Sequence, residues 1–133
     1  AINFRLCSKY GVDIMLGIKL GEGFSIAHFV GIVITNSCVI GKNFSVRQGV
    51  TIGVHHTGQT GMIFIGDNVS IGANSCIIGD DIRIGDYVTV GAMAFVNRSI
   101  PAHSTVFNKR PLTVISEAVN DVGIIPSSVT GAA

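Results

Sequence analysis

Four histidines, three cysteines and a handful of carboxylates and cations are the residues of this 133-residue chain whose types could do chemistry. His28, in SIAHFVGIVI, is the first of them, with Asp13 fifteen residues before it. A neutral imidazole near its ordinary pKa can take a proton from a hydroxyl at neutral pH. A carboxylate on its other ring nitrogen would fix the tautomer and stabilise the imidazolium. On residue type alone, His28 could equally be a structural or surface residue, and Asp13 a corner residue bonding its own backbone. His55 and His56 are adjacent, so on extended backbone their side chains point apart and make a poor metal pair within one chain. They could line an acceptor pocket or simply face solvent. His103, in IPAHSTV, reads as a turn residue. Cys7, Cys38 and Cys76 are odd in number and lack metal-ligand or redox spacing, which predicts small buried core residues in a reducing compartment.

The elements that must position these residues follow from a repeat. An aliphatic residue followed by Gly recurs every six residues, as in LGEGFS from Leu20, IGKNFS from Ile40, IGDNVS from Ile65 and IGDYVT from Ile84. Ile14, Leu20, Ile26, Ile34, Ile40, Val46, Ile52, Ile65, Ile71, Ile78, Ile84, Val90 and Val96 set its phase, and none is polar. Period six is neither helical nor a simple alternation, so the unit is a short strand plus a corner. Gly with nearby Asn or Asp supplies the left-handed backbone that a corner needs. The fourth residue after each phase-setter is mostly apolar or small: Phe24, Val30, Phe44, Val50, Val69, Val88, Ala94. Two inward positions per hexad describe a narrow prism of parallel strands, its coils stacked about 4.8 Å apart.

The register breaks in three places. GIVITNSCVIG carries two extra residues between Ile26 and Ile40, CIIGDDIRIG adds one, and VHHTGQTGM from Val54 to Met62 leaves the ladder as an excursion loop from one corner. Breaks of this kind often sit beside sites. Pro101 is a natural stop for the coil. Residues 1–12 read as a helix end or an irregular lead-in, 13–107 as the solenoid, and 108–133 as a basic turn, a short strand and an arm or disordered tail, all in one domain.

Hydrophobic residues make up 47% of the chain and charged residues 13%, which is little charge for an isolated monomer with flat faces and predicts burial of a face by self-association. A net charge of +1 gives no case for nucleic acid or an anionic membrane. No apolar run reaches bilayer length and no signal peptide is visible, so the expected compartment is the cytoplasm.

The ladder resembles the left-handed β-helix of hexapeptide-repeat acyltransferases over about four-fifths of the chain, and the left hand is carried over from that family. VDI followed by AHFVGIVI is similar to the region of serine acetyltransferases, and of related sugar and polysaccharide O-acetyltransferases, in which an Asp precedes a His by fifteen residues. The resemblance implies a homotrimer with its active sites between subunits and acetyl-CoA as donor, with no metal expected. His28 would be the general base and Asp13 its orienting partner. Ala73 and Ala92, in IGAN and VGAM, resemble the corners along which the family lays the pantetheine arm. Lys109 and Arg110, in NKRPL where the family has a short Gly-x-Pro-Ala segment, depart from its pattern and could meet a coenzyme phosphate or form a solvated basic turn. In an enzyme, a backbone N–H near Gly53 or Val54 would receive the oxyanion, and His55 and His56 would line the acceptor pocket or face solvent.

The sequence also departs from the serine acetyltransferases. Ala27 stands where they carry an Asp and Gly61-Met62 where they carry an Arg-His pair. A zwitterionic acceptor left without charged partners is costly to bind. The acceptor expectation is therefore divided between L-serine and a sugar or polysaccharide hydroxyl, with a non-catalytic trimeric acyl-CoA-binding scaffold as the alternative outside enzymes.

Overall fold

The computed structural model describes residues 2–55, 61–109, 119–120 and 123–124. Its body is a prism with three faces, each a sheet of parallel strands. The first face stacks β1 (Val12–Ile14), β4 (Ile32–Ile34), β7 (Thr51–Gly53), β10 (Cys76–Ile78) and β13 (Phe95–Val96). The second stacks β2 (Lys19–Leu20), β5 (Cys38–Ile40), β8 (Ile63–Ile65) and β11 (Ile82–Ile84). The third stacks β3 (Ser25–Ala27), β6 (Ser45–Arg47), β9 (Ser70–Ile71), β12 (Thr89–Val90) and β14 (Thr105–Val106). This is the parallel β-solenoid that the period of six requires. Outside it, β15 (Val119–Asn120) and β16 (Gly123–Ile124) pair antiparallel. No helix among the described residues is long and apolar enough to cross a membrane.

The core is one column of aliphatic side chains. Ile34, Val46, Ile52 and Ile71 are fully buried at phase-setting positions, and Phe44, Val50, Val69 and Val88 at the second inward position. Phe44 is the largest of these and stacks on Phe24 with ring centroids 5.9 Å apart. Three expectations need correction. Ile77, not Ile78, occupies the phase-setting place: it is fully buried and pairs with Ile52, so the extra residue of that coil follows it. Val30 is 67% exposed rather than inward, because the chain bulges just before it. Leu20 is exposed on the first coil, which has no coil beneath it.

Corners are tight because coils touch there. A Cβ on Gly21 would sit 2.5 Å from the Gly41 carbonyl carbon. In the second-to-third corner Asn43, Asn68, Tyr87 and His103 take φ between 54° and 60°, and Asn43 Nδ2 donates to Asn68 Oδ1 at 3.0 Å. His103 stacks on Tyr87, in keeping with a structural turn residue. At the other end, the lead-in is a helix, α1 (Ile2–Tyr10), packed against β1 and ended by Gly11, whose N–H donates to the Cys7 carbonyl. Only Cys38 of the three cysteines is a buried core residue. Cys76 is half-buried on the outer side of the first face and Cys7 is exposed on α1.

Two outcomes follow from this core. Phe44→Ala should cost about 3–5 kcal/mol in urea denaturation, since neighbouring coils are held by their ladders and cannot collapse into the space. Burial pushes the Cys38 thiol up to about 12. Between the ordinary thiol value and that one, the unfolded chain releases a proton that the folded chain keeps, so stability is full below the ordinary value and falls as pH rises through this window. The urea midpoint should therefore drop from pH 8 to pH 10 less steeply in Cys38→Ala than in the parent.

Candidate active site

The ladder locates the first insertion to the residue. Ala27 pairs with Arg47 on entering the third-to-first corner. On leaving it, Gly49 N–H donates to the Val30 carbonyl at 2.9 Å, the same bond that Asn74 makes to Gln48 and Met93 to Ala73 in the coils above. Val30 is thus level with Gln48, and the two surplus residues are His28 and Phe29. Gly31, Gly49, Asn74 and Met93 turn this corner with φ between 56° and 75°, so His28, with φ 63°, is an additional left-handed residue rather than the one that turns the coil. Such backbone is uncommon for a residue with a Cβ. The pair stands out from the prism with His28 exposed, and the Phe29 ring packs edge-on against Tyr10 of α1 at 5.5 Å.

Asp13 lies at the centre of β1, facing outward between the inward Val12 and Ile14, on the strand beside this corner. Asp13 and His28 therefore border the same edge of the same coil. Asp13 lies beside Cys7, whose thiol is held above its ordinary range by desolvation and by the Asp13 carboxylate.

The same edge carries the small residues singled out from the sequence. Val30, Gln48, Ala73 and Ala92 form one column up the third-to-first corner, fixed by the bonds just described. Ala73 is half-buried and Ala92 exposed, two and three coils above the bulge, or about 10 and 14 Å at the coil spacing. At the top Asn108 Nδ2 donates to the Met93 carbonyl, and Lys109 follows, exposed. Arg110 and His56 lie outside the described residues.

Gly53, Val54 and His55 are placed elsewhere. They close β7 and open the excursion loop at the first-to-second corner, across the width of the first face from His28. One chain therefore does not bring them against the bulge. Two residues that residue spacing did not single out do lie there. Arg47 is exposed and in register with Ala27, one coil above the start of the bulge. Gln48 beside it has a buried Oε1 with no hydrogen-bond partner among the described residues. An anion and a hydrogen-bond donor are what this pair could accept. The signal for Arg47 was recoverable only once the two surplus residues were known to be 28 and 29.

No family model matches the chain. Among curated proteins it is similar to the serine acetyltransferase of Staphylococcus epidermidis, with 42% identity over 99 residues covering 72% of this chain and 45% of that protein. The Staphylococcus aureus enzyme is 41% identical over the same span. Among solved structures, serine acetyltransferase isoform 3 of Entamoeba histolytica in complex with cysteine superposes with a TM-score of 0.80 at 32% identity, covering 88% of this chain and 42% of that one. The Neisseria gonorrhoeae serine acetyltransferase in complex with serine gives 0.75 at 36% identity, covering 80% and 44%. The chain spans less than half the length of the curated relatives it matches.

If His28 and Phe29 are surplus to the scaffold, removing both should leave an 18-residue coil like that from Ile34 to Ile52. The deletion variant should keep its β circular dichroism and lose no more than about 1 kcal/mol in urea denaturation. Loss of the folded state would mean that the bulge holds the first coil together.

Proposed function

The chain is a hexapeptide-repeat domain of the acyltransferase family that includes the serine acetyltransferases, and from that premise we propose that it is an acetyl-CoA-dependent O-acetyltransferase with His28 as general base. The observation that carries the reading is the bulge. A scaffold has no use for two residues that its ladder steps over, one of them a histidine in left-handed backbone beside a carboxylate-bearing strand.

In this reading His28 takes the proton of the acceptor hydroxyl as its oxygen attacks the thioester carbonyl. Asp13 turns from Cys7 to the other ring nitrogen of His28 and stabilises the imidazolium. The proton then passes to the departing coenzyme thiolate, so the acetyl group moves in one step from donor to acceptor. The column of Ala73 and Ala92 fits an extended pantetheine arm, because short side chains let a ligand reach the backbone; Lys109 at its upper end, and Arg110 next in the sequence, would meet a phosphate. A backbone N–H near Gly53 or Val54 would receive the oxyanion. Those groups sit across the first face from His28, which favours a homotrimer in which one subunit's first-to-second corner meets the neighbour's bulge. His55 and His56 would then reach the acceptor from the neighbouring chain.

L-serine is the acceptor favoured by the relatives. A sugar or polysaccharide hydroxyl is the second reading, favoured by Ala27 and by Gly61-Met62, where charged residues would hold a zwitterion. Arg47 is a cation in register beside the bulge, and it would serve either an amino-acid carboxylate or an acidic sugar.

Coenzyme-A release from acetyl-CoA, run with L-serine and with neutral and acidic sugars, tests both levels. His28→Ala should lower kcat by about 100-fold or more, and Asp13→Asn by a smaller factor with its effect on kcat rather than on KM. An unchanged rate in His28→Ala, or no acceptor that supports turnover, would overturn the catalytic reading in favour of an acyl-CoA-binding scaffold.

A further inference from the structure

The excursion loop begins and ends at one corner, and the coil above meets both of its ends with two consecutive carboxylates. At the start, His55 N–H donates to Asp80 Oδ1 at 3.3 Å, and the His55 ring places Nδ1 3.7 Å from Asp80 Oδ2. At the end, Met62 N–H donates to Asp81 Oδ1 at 3.5 Å. Gly61, buried just before it, lies so close that a Cβ there would come within 2.6 Å of Asp80 Oδ1. Asp80 is therefore gripped between the two ends of the loop. The corner that carries these carboxylates holds the one surplus residue of its coil: four residues, 78–81, join Ile77 to Ile82 where the coil below the loop uses 35–37 to join Ile34 to Cys38. The extra residue in one coil thus serves the insertion in the coil beneath.

We propose that Asp80 and Asp81 are a two-point latch that fixes the excursion loop, and that Asp80 is a positioning residue which sets acceptor selectivity by holding His55. A loop fastened only by its strands would leave its first residue free to swing about Val54. With Asp80 accepting from the backbone and facing the ring at ion-pair distance, both the main chain and the side chain of His55 are held. The arrangement ties His55 to the root of the loop. The selectivity half of the proposal rests on the reading that this loop contributes to the acceptor site. The latch itself does not.

Two measurements keep the halves distinct. Hydrogen exchange needs no activity: the amides of His55 and Met62 should exchange at least about 10-fold faster in the Asp80→Ala, Asp81→Ala double variant, while Ile52 and Ile77 amides keep the parent's protection. Gly61→Ala should speed His55 exchange in the same way by displacing Asp80. Unchanged exchange at His55 and Met62 would overturn the latch, and loss of protection at Ile52 and Ile77 would show instead a carboxylate pair needed by the prism. In the acetyl-transfer assay, Asp80→Ala should raise the acceptor KM by about 10-fold with the acetyl-CoA KM within about two-fold of the parent. Asp80→Asn, whose amide oxygen still accepts the His55 N–H, should recover part of that loss. Faster exchange with an unchanged acceptor KM would leave the latch standing and remove its role in selectivity. Exchange as expected in a chain that turns over no acceptor would place the fault with the acetyltransferase reading instead.

Discussion

Every coil of this prism must bring its backbone back into register with the coil below, because the strands find their backbone hydrogen-bond partners in the neighbouring coils. A slip of one residue would turn the inward Ile, Val and Phe side chains outward along the rest of the stack. The chain meets this constraint by spending irregularity only at corners. Ile14 pairs with Ile34, Ile34 with Ile52, Ile52 with Ile77 and Ile77 with Val96, across coils of unequal length, and the core column continues without interruption. Surplus residues are expelled sideways, at the corners.

The three insertions divide the labour. The pair His28 and Phe29 sets an imidazole on one edge of the first face, and the excursion after Val54 sets another at the opposite edge. The single surplus residue near Asp80 fastens that excursion from above. The first face, with Asp13, Val33, Thr51, Cys76 and Phe95 on its outer side, spans the distance between the two edges.

Much of the fold was legible in the sequence because the repeat leaves inward positions no choice: Ile34, Val46, Ile52 and Ile71 are aliphatic and fully buried. Phase was misread where two aliphatic residues are adjacent. In CIIG either isoleucine could face inward, and only the pairing of Ile77 with Ile52 decides it. Residue type also misled at the cysteines. Cys7 has the size of a core residue but lies on the exposed side of a helix, where its thiol meets Asp13. The place of His28 at a break in the ladder was legible from the slip beside it. The pairing of His55 with Asp80 was not, since 25 residues separate them and only stacking of a coil above the loop brings them together. Arg47 was hidden for the same reason: its neighbour is Ala27, twenty residues earlier.

The placement of His28 outside the ladder bears on how such a chain can change over time. A catalytic residue drawn from a core strand is bound to the stability of that strand, and each trial substitution risks the fold. Here Gly31 restores the corner after the bulge, and Gly49 bonds to Val30 as though nothing had been inserted. Substitutions in the protruding pair and its neighbours can alter what is recognised while the margin of folding free energy stays nearly constant. The scaffold is conservative by physics, and its corners are where drift is cheap, so corner sequences can diverge while the coils remain superimposable.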